Sequence, residues 1–196
     1  MILLAPAALC LALALALGGQ LSRLATIPLV PLAIVACGFG LQLVAMSLGD
    51  RGIVDSLSYR LLLMSGMGLV LAGFLGARRL PFASVALAGL ALNLIVMVGN
   101  GGTMVAAQPP ANEGFTVVAP RGEARIWGSK AVVRSPDQTV LPWLGDVLPI
   151  DVGAFHRVLS IGDVVLALGV GLMLAGAMLS NHGSSLAATS SSVNGL

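Results

Sequence analysis

The sequence predicts an all-α transmembrane helical bundle of about five spans, with a small β-rich exoplasmic loop subdomain between spans 4 and 5. Three observations predict it. Only 9% of the 196 residues are charged and 57% are hydrophobic, against roughly 25% charged in an ordinary soluble domain. The apolar residues gather into runs that suit helices of ~20 residues, the length that crosses a hydrocarbon core of about 30 Å. One long stretch, residues 100–158, breaks this pattern with prolines, glycines and charges of both signs. The chain thus divides into a four-span membrane region (1–99), the exoplasmic loop (100–158), a fifth span (159–180) and a polar tail (181–196).

Residues 2–18 are almost purely Leu and Ala and end at Gly18-Gly19. With no positive residue ahead of them they read as a retained first helix, not a removed signal peptide. Residues 25–48 form span 2, with Pro28 and Pro31 near its start, where proline is tolerated. Residues 58–76 form span 3, whose Gly66, Gly68, Ala72, Gly73 and Gly76 allow close helix approach. Residues 80–99 form span 4 and about 161–179 form span 5. The tail is Ser, Asn, Gly and Ala, a composition expected to be disordered. In the loop, β-forming runs at Phe115–Val118, Ala124–Val133 and Thr139–Leu144 alternate with turn signals, which predicts a small antiparallel sheet.

Charge placement sets orientation. Arg78-Arg79 is the tightest basic cluster, and Arg23 lies two crossings earlier on the same side. The positive-inside tendency puts both in the cytoplasm, with the N-terminus and the 100–158 loop outside and the C-terminus inside. Arg51 and Arg60 in the opposite loop weigh mildly against this. Nine arginines against one lysine hint at a GC-rich bacterial genome, hence a bacterial cytoplasmic membrane. A net charge of +2 and 4% aromatic residues argue against a nucleic-acid partner. Cys10 and Cys37 lie in apolar runs and read as free thiols. No cofactor and no metal site is expected, and the lipid bilayer is the expected surrounding.

Ionisable residues beside hydrocarbon are costly, so each invites both a structural and a functional reading. Ser160-Ile-Gly-Asp163 reads as a capping box at the start of span 5. Alternatively Asp163 pairs with Asp146, one carboxylate keeping a proton so that the two act as acid and base on one water. Asp151 reads as a turn residue and His156 as an interfacial anchor. Asn93 reads as an interhelical hydrogen-bond donor, and Asn100-Gly101-Gly102 as a helix C-terminal turn. In the catalytic alternative Asn100 sits beside the two acids and orients substrate. The loop charges Glu113, Glu123, Asp137, Arg121, Arg125, Lys130 and Arg134 read as a solvated face.

The segments Leu92-Asn93, Gly99-Asn-Gly-Gly-Thr-Met104, Trp143-Leu-Gly-Asp-Val-Leu-Pro149 and Leu159-Ser-Ile-Gly-Asp-Val-Val-Leu-Ala-Leu-Gly169 resemble, in combination, an uncharacterised bacterial family of five-span membrane proteins. This is domain-of-unknown-function family five-three-one-seven, and the resemblance implies no activity. A weaker likeness is to signal peptidase II, which has an outward Gly-Asn and two aspartates in the order of Gly99-Asn100, Asp146 and Asp163. That likeness implies a catalytic Asp146/Asp163 dyad, with Asn100 and Asn93 orienting a membrane-anchored peptide. The chain departs from it in having five spans, a long insertion before Asp146, and no Asp-Arg after the Gly-Asn. The expected function is therefore an integral membrane protein of unknown biochemistry. An outer-leaflet aspartyl hydrolase and a non-enzymatic subunit that binds another membrane protein, docking it on the small-residue faces of spans 3 and 5, are the two finer alternatives.

Overall fold

The computed structural model describes residues 4–106, 116–119, 123–152 and 155–180. The expected tail at 181–196, with His182, lies outside them, as do Pro109-Pro110, Glu113, Phe115 and Pro120-Arg121-Gly122. Five α-helices appear where apolar runs were read: α1 (Leu4–Ala16), α2 (Leu29–Asp50), α3 (Ser56–Gly76), α4 (Ala83–Gly99) and α5 (Ile161–Leu179). Three of them, α2, α3 and α5, are long and apolar enough to cross a membrane, at 22, 21 and 19 residues. The helix α4 is a shorter apolar helix, and α1 has 13 residues.

Local sequence sets the helix ends. Pro28, with φ near −64°, precedes the first turn of α2. The Asp55 side chain accepts the Ser58 N–H at 2.6 Å and caps α3. After α4, Gly101 and Gly102 adopt φ of +74° and +92°, and the Gly102 N–H closes on the Met97 carbonyl at 2.7 Å. This is the glycine-terminated helix end that Asn-Gly-Gly announces.

The helices associate as two pairs, α2 with α3 and α4 with α5, and α1 lies along α5. Glycine makes both pairs close. A Cβ on Gly66 of α3 would stand 2.8 Å from the Gly38 carbonyl of α2, and one on Gly89 of α4 would stand 2.3 Å from the Leu166 amide of α5. Gly66 and Gly89 thus bring the helices of each pair into close contact, while Gly68 of α3 meets nothing within 4 Å. Tyr59, Leu63, Val70, Leu90, Val96 and Met97 belong to the buried apolar core.

One end of the bundle carries a six-stranded sheet. Its strands are β1 (Met104–Ala106), β2 (Val117–Val118), β3 (Arg125–Ile126), β4 (Ala131–Val133), β5 (Asp146–Val152) and β6 (Phe155–Ser160), in the spatial order β2-β3-β4-β1-β5-β6. The sheet is mixed, not antiparallel as expected. The strand β1 leaves α4 directly and lies between β4 and β5, parallel to both. Two 3₁₀ turns at Pro136–Gln138 and Pro142–Leu144 carry the chain from β4 to β5, on the other side of β1.

At the other end, the Arg23 guanidinium donates to the carbonyls of Met178 and Ser180 at 3.2 and 2.6 Å, covering the open end of α5. Pro81 packs on Gly176 there, so Arg23, Arg78 and Arg79 share the end opposite the sheet.

Candidate functional site

Seventeen residues separate Asp146 from Asp163, and the β5–β6 hairpin closes that distance. Asp146 opens β5 and is the register partner of Ser160, which ends β6. The chain passes from β6 into α5 without a break, so Ser160 is both a strand end and the N-cap of the helix. Its hydroxyl accepts the Asp163 N–H at 2.9 Å, and the Asp163 carboxylate accepts the Ser160 N–H at 3.4 Å. The capping box is present.

Capping uses only part of Asp163. Its Oδ1 also accepts the Asn93 amide of α4 and the Lys130 ammonium, each at 2.7 Å. Ser160 Oγ donates in turn to Asn93 Oδ1 at 2.7 Å. Asn93 is the interhelical donor its position announced, and both ends of its amide are bound. Three donors on one buried carboxylate suit its ionised form. A Cβ on Gly162 would stand 2.2 Å from Asn93 Oδ1, so glycine at that position lets α4 and α5 approach closely enough for these bonds.

Asp146 is placed differently. It is 2% exposed. Among the described residues, its Oδ2 receives only a long 3.4 Å bond from Ser129 Oγ, and its Oδ1 has no hydrogen-bond partner. Burial pushes its pKa up to about 7; Lys130 opposes this, and Asp163 adds to it. Burial alone would lower the Lys130 pKa, but the facing Asp163 and Asp146 carboxylates outweigh it and hold the ammonium above its usual range. Lys130 is thus a cation and not an amine nucleophile.

A second cluster lies on the α2–α3 pair. Arg125 is 2% exposed and stacks 3.8 Å above the Tyr59 ring. Its guanidinium lies against Gly49, where a Cβ would be 2.3 Å from Nη1. Glu123 pairs with Arg60 and lies 3.7 Å from both Arg125 and Arg134. Burial would raise the Glu123 pKa, but the Arg60 hydrogen bond and charge bring it below its usual value. Between the clusters, the turn at Gly128 donates its N–H to Asp50 at 2.8 Å.

These contacts overturn the reading of Glu123, Arg125, Lys130 and Arg134 as a solvated face. The β3–β4 hairpin instead carries Arg125 and Lys130 five residues apart, one set into each helix pair. The two functions a mixed-charge hairpin can serve, solvation and buried pairing, share one composition. Lys130 and Ser129 were missed as site residues, although a single lysine in an arginine-rich chain was a usable signal.

Asn100 is placed as a clamp. It donates to the carbonyls of Val140 and Val96 at 2.9 and 2.8 Å and accepts the Val140 N–H at 2.9 Å. Both ends of its amide are occupied by backbone. Asp151 and His156 are register partners in the hairpin, and their side chains lie outside the described part of the structure. Among the described residues no group of three or more His, Cys, Asp or Glu could hold a metal.

Helices fit to cross a bilayer, capped at one end by a sheet on buried ion pairs, are compatible with an integral membrane protein. The chain belongs to a family of unknown function, DUF5317, whose sequence profile matches residues 26–175. That span holds α2 to α4, the sheet and most of α5, so both clusters are features of the matched region. No curated protein and no solved structure matches the chain, and the likeness to signal peptidase II gains no support.

Proposed function

We propose that the protein is an integral membrane protein with a binding role, its sheet on the outer face of a bacterial cytoplasmic membrane and its C-terminus in the cytoplasm. Support for the orientation comes from Arg23, Arg78 and Arg79 at the end opposite the sheet. Arg60, which weighed against it, is neutralised by Glu123.

The observation that carries the binding role over a catalytic one is the closure of the acid cluster. Asp163 is bound to Lys130, Asn93 and Ser160, and neither carboxylate has more than 6% exposure. A hydrolytic dyad needs a shared water and room for a scissile bond, and this cluster is filled by the chain itself. The sheet offers a better surface for a partner: an apolar cleft of about 310 Å³ lined by Val105, Pro136, Pro142, Trp143 and Val147, with Arg134 its one charged group. That lining favours an apolar segment of another membrane protein.

The second reading, an outer-leaflet aspartyl hydrolase acting on membrane-anchored peptides, draws on one observation. Asp146 and Asp163 share a cluster in which one acid has a bare oxygen and a pKa near neutrality. The two readings separate in one assay: the chain reconstituted in liposomes with quenched, membrane-anchored peptides. The binding role expects no turnover by the wild type. Turnover that disappears in both Asp146→Asn and Asp163→Asn would overturn it in favour of the hydrolase. For orientation, a cysteine placed at Trp143 is expected to react with an impermeant thiol reagent from outside, in a background free of Cys10 and Cys37; reaction from the cytoplasmic side alone would reverse the topology.

A further inference from the structure

We infer that Asp146 is a proton-binding site whose occupancy sets how firmly the sheet is held on α4 and α5. The argument begins with charge. The cluster encloses one ammonium and two carboxylates, and Asp163 takes the close contact with Lys130 at 2.7 Å. If Asp146 is ionised, a negative charge is left buried with one oxygen unpartnered and the other on a single long bond. Desolvation disfavours that state. One proton removes the excess charge.

The charged and titratable groups around Asp146, among the described residues, are few. Lys130 approaches from the β3–β4 hairpin, Asp163 from α5, and Tyr59 of α3 lies within electrostatic range. The other neighbours, Ser129, Ala106 of β1 and Ser160 of β6, are neutral. Lys130 and the long Ser129 hydrogen bond favour the anion, and the lysine ammonium is already committed to Asp163.

The direction of the linkage follows. The docked pKa of about 7 stands above the ordinary 3.8, so the docked sheet binds a proton that the undocked, hydrated Asp146 releases. Docking is strongest below the ordinary value and weakens as pH rises through about 7. The effect falls on one side of the molecule. Lys130 is released from the α4–α5 pair, while Arg125 remains stacked on Tyr59 in the α2–α3 pair.

The full chain in lipid nanodiscs tests this by melting from about pH 5 to about pH 9, followed through Trp127 and Trp143, which both lie on the sheet side. The wild-type Tm is expected to fall by at least roughly 5 °C, mostly between about pH 5 and about pH 7, and to level off above that. Asp146→Asn is expected to lack that fall and to melt no lower than the wild type at the alkaline end. The same fall in the variant, or none in the wild type, would overturn the inference. Should the variant not fold, infrared difference spectra of the wild type decide: a protonated carboxyl band lost across neutrality is expected, and its absence at mildly acid pH would overturn the inference.

Discussion

Replacing Lys130 by methionine removes the cation from the acid cluster while keeping an unbranched stem of similar length, so packing along the stem is retained. Asp163 then loses a charge-assisted bond of 2.7 Å in a site where the lysine side chain is 15% and the aspartate side chain 8% exposed. Removing one partner of a buried pair costs about 3–5 kcal/mol, because the other charge stays buried. For a chain of this length, about 2–4 °C of Tm per kcal/mol translates this into a fall of about 6–20 °C. The loss is smaller in acid, since Asp146, without the lysine that pulls its pKa down, binds a proton more readily. Melting in nanodiscs at mildly acid and mildly alkaline pH gives the size and the pH dependence. A double-mutant cycle with Asp163→Asn isolates the pair, with a coupling of at least about 1 kcal/mol expected. A Tm loss below about 2 °C, or additive single and double variants, would refute the account of the cluster as the anchor of the sheet.

Three further substitutions test the frame around it. Gly89→Ala puts a Cβ 2.3 Å from the Leu166 amide, a backbone atom that cannot swing away, so a loss of about 1–3 kcal/mol is expected. Gly68→Ala, with nothing within 4 Å, is the control and is expected to be neutral or slightly stabilising by melting; equal losses in the two would show that the α4–α5 contact is looser than described. Asn100→Ala leaves the Val140 N–H and carbonyl without their amide, a cost of about 1–3 kcal/mol. It is expected to speed hydrogen exchange at Val140, and unchanged protection there would sink the clamp.

What the sequence revealed, and what it withheld, follows the distance over which each signal acts. Helix limits were legible where apolar runs are bounded locally by Gly18-Gly19 and Asn100-Gly101-Gly102. The Ser160–Asp163 box was legible because its two partners stand three residues apart. Asn93 was legible because an amide within a span must find a partner nearby. The placement of β1 between β4 and β5 was not, since strands of three residues carry too little pattern to reveal their neighbours or direction. Nor was the burial of Arg125 and Lys130, because their partners Tyr59 and Asp163 lie 66 and 33 residues away in sequence. Asp146 drew attention as an acid with no local explanation, yet only the hairpin register with Ser160 shows why it sits beside Asp163.

The hairpin that joins both helix pairs also bears on biogenesis. The two pairs form at different stages: α2 and α3 follow one another in synthesis, whereas α4 waits for α5 across the sheet. Arg125 can reach Tyr59 and Gly49 as soon as the hairpin has left the ribosome. Lys130 cannot: its carboxylate is in the first turn of the last helix, and β6 must be laid down before that helix begins. Closure of the sheet thus reports that the final span is in place. A chain truncated before α5 would retain its first anchor and carry a lysine on the other arm without the Asp163 carboxylate.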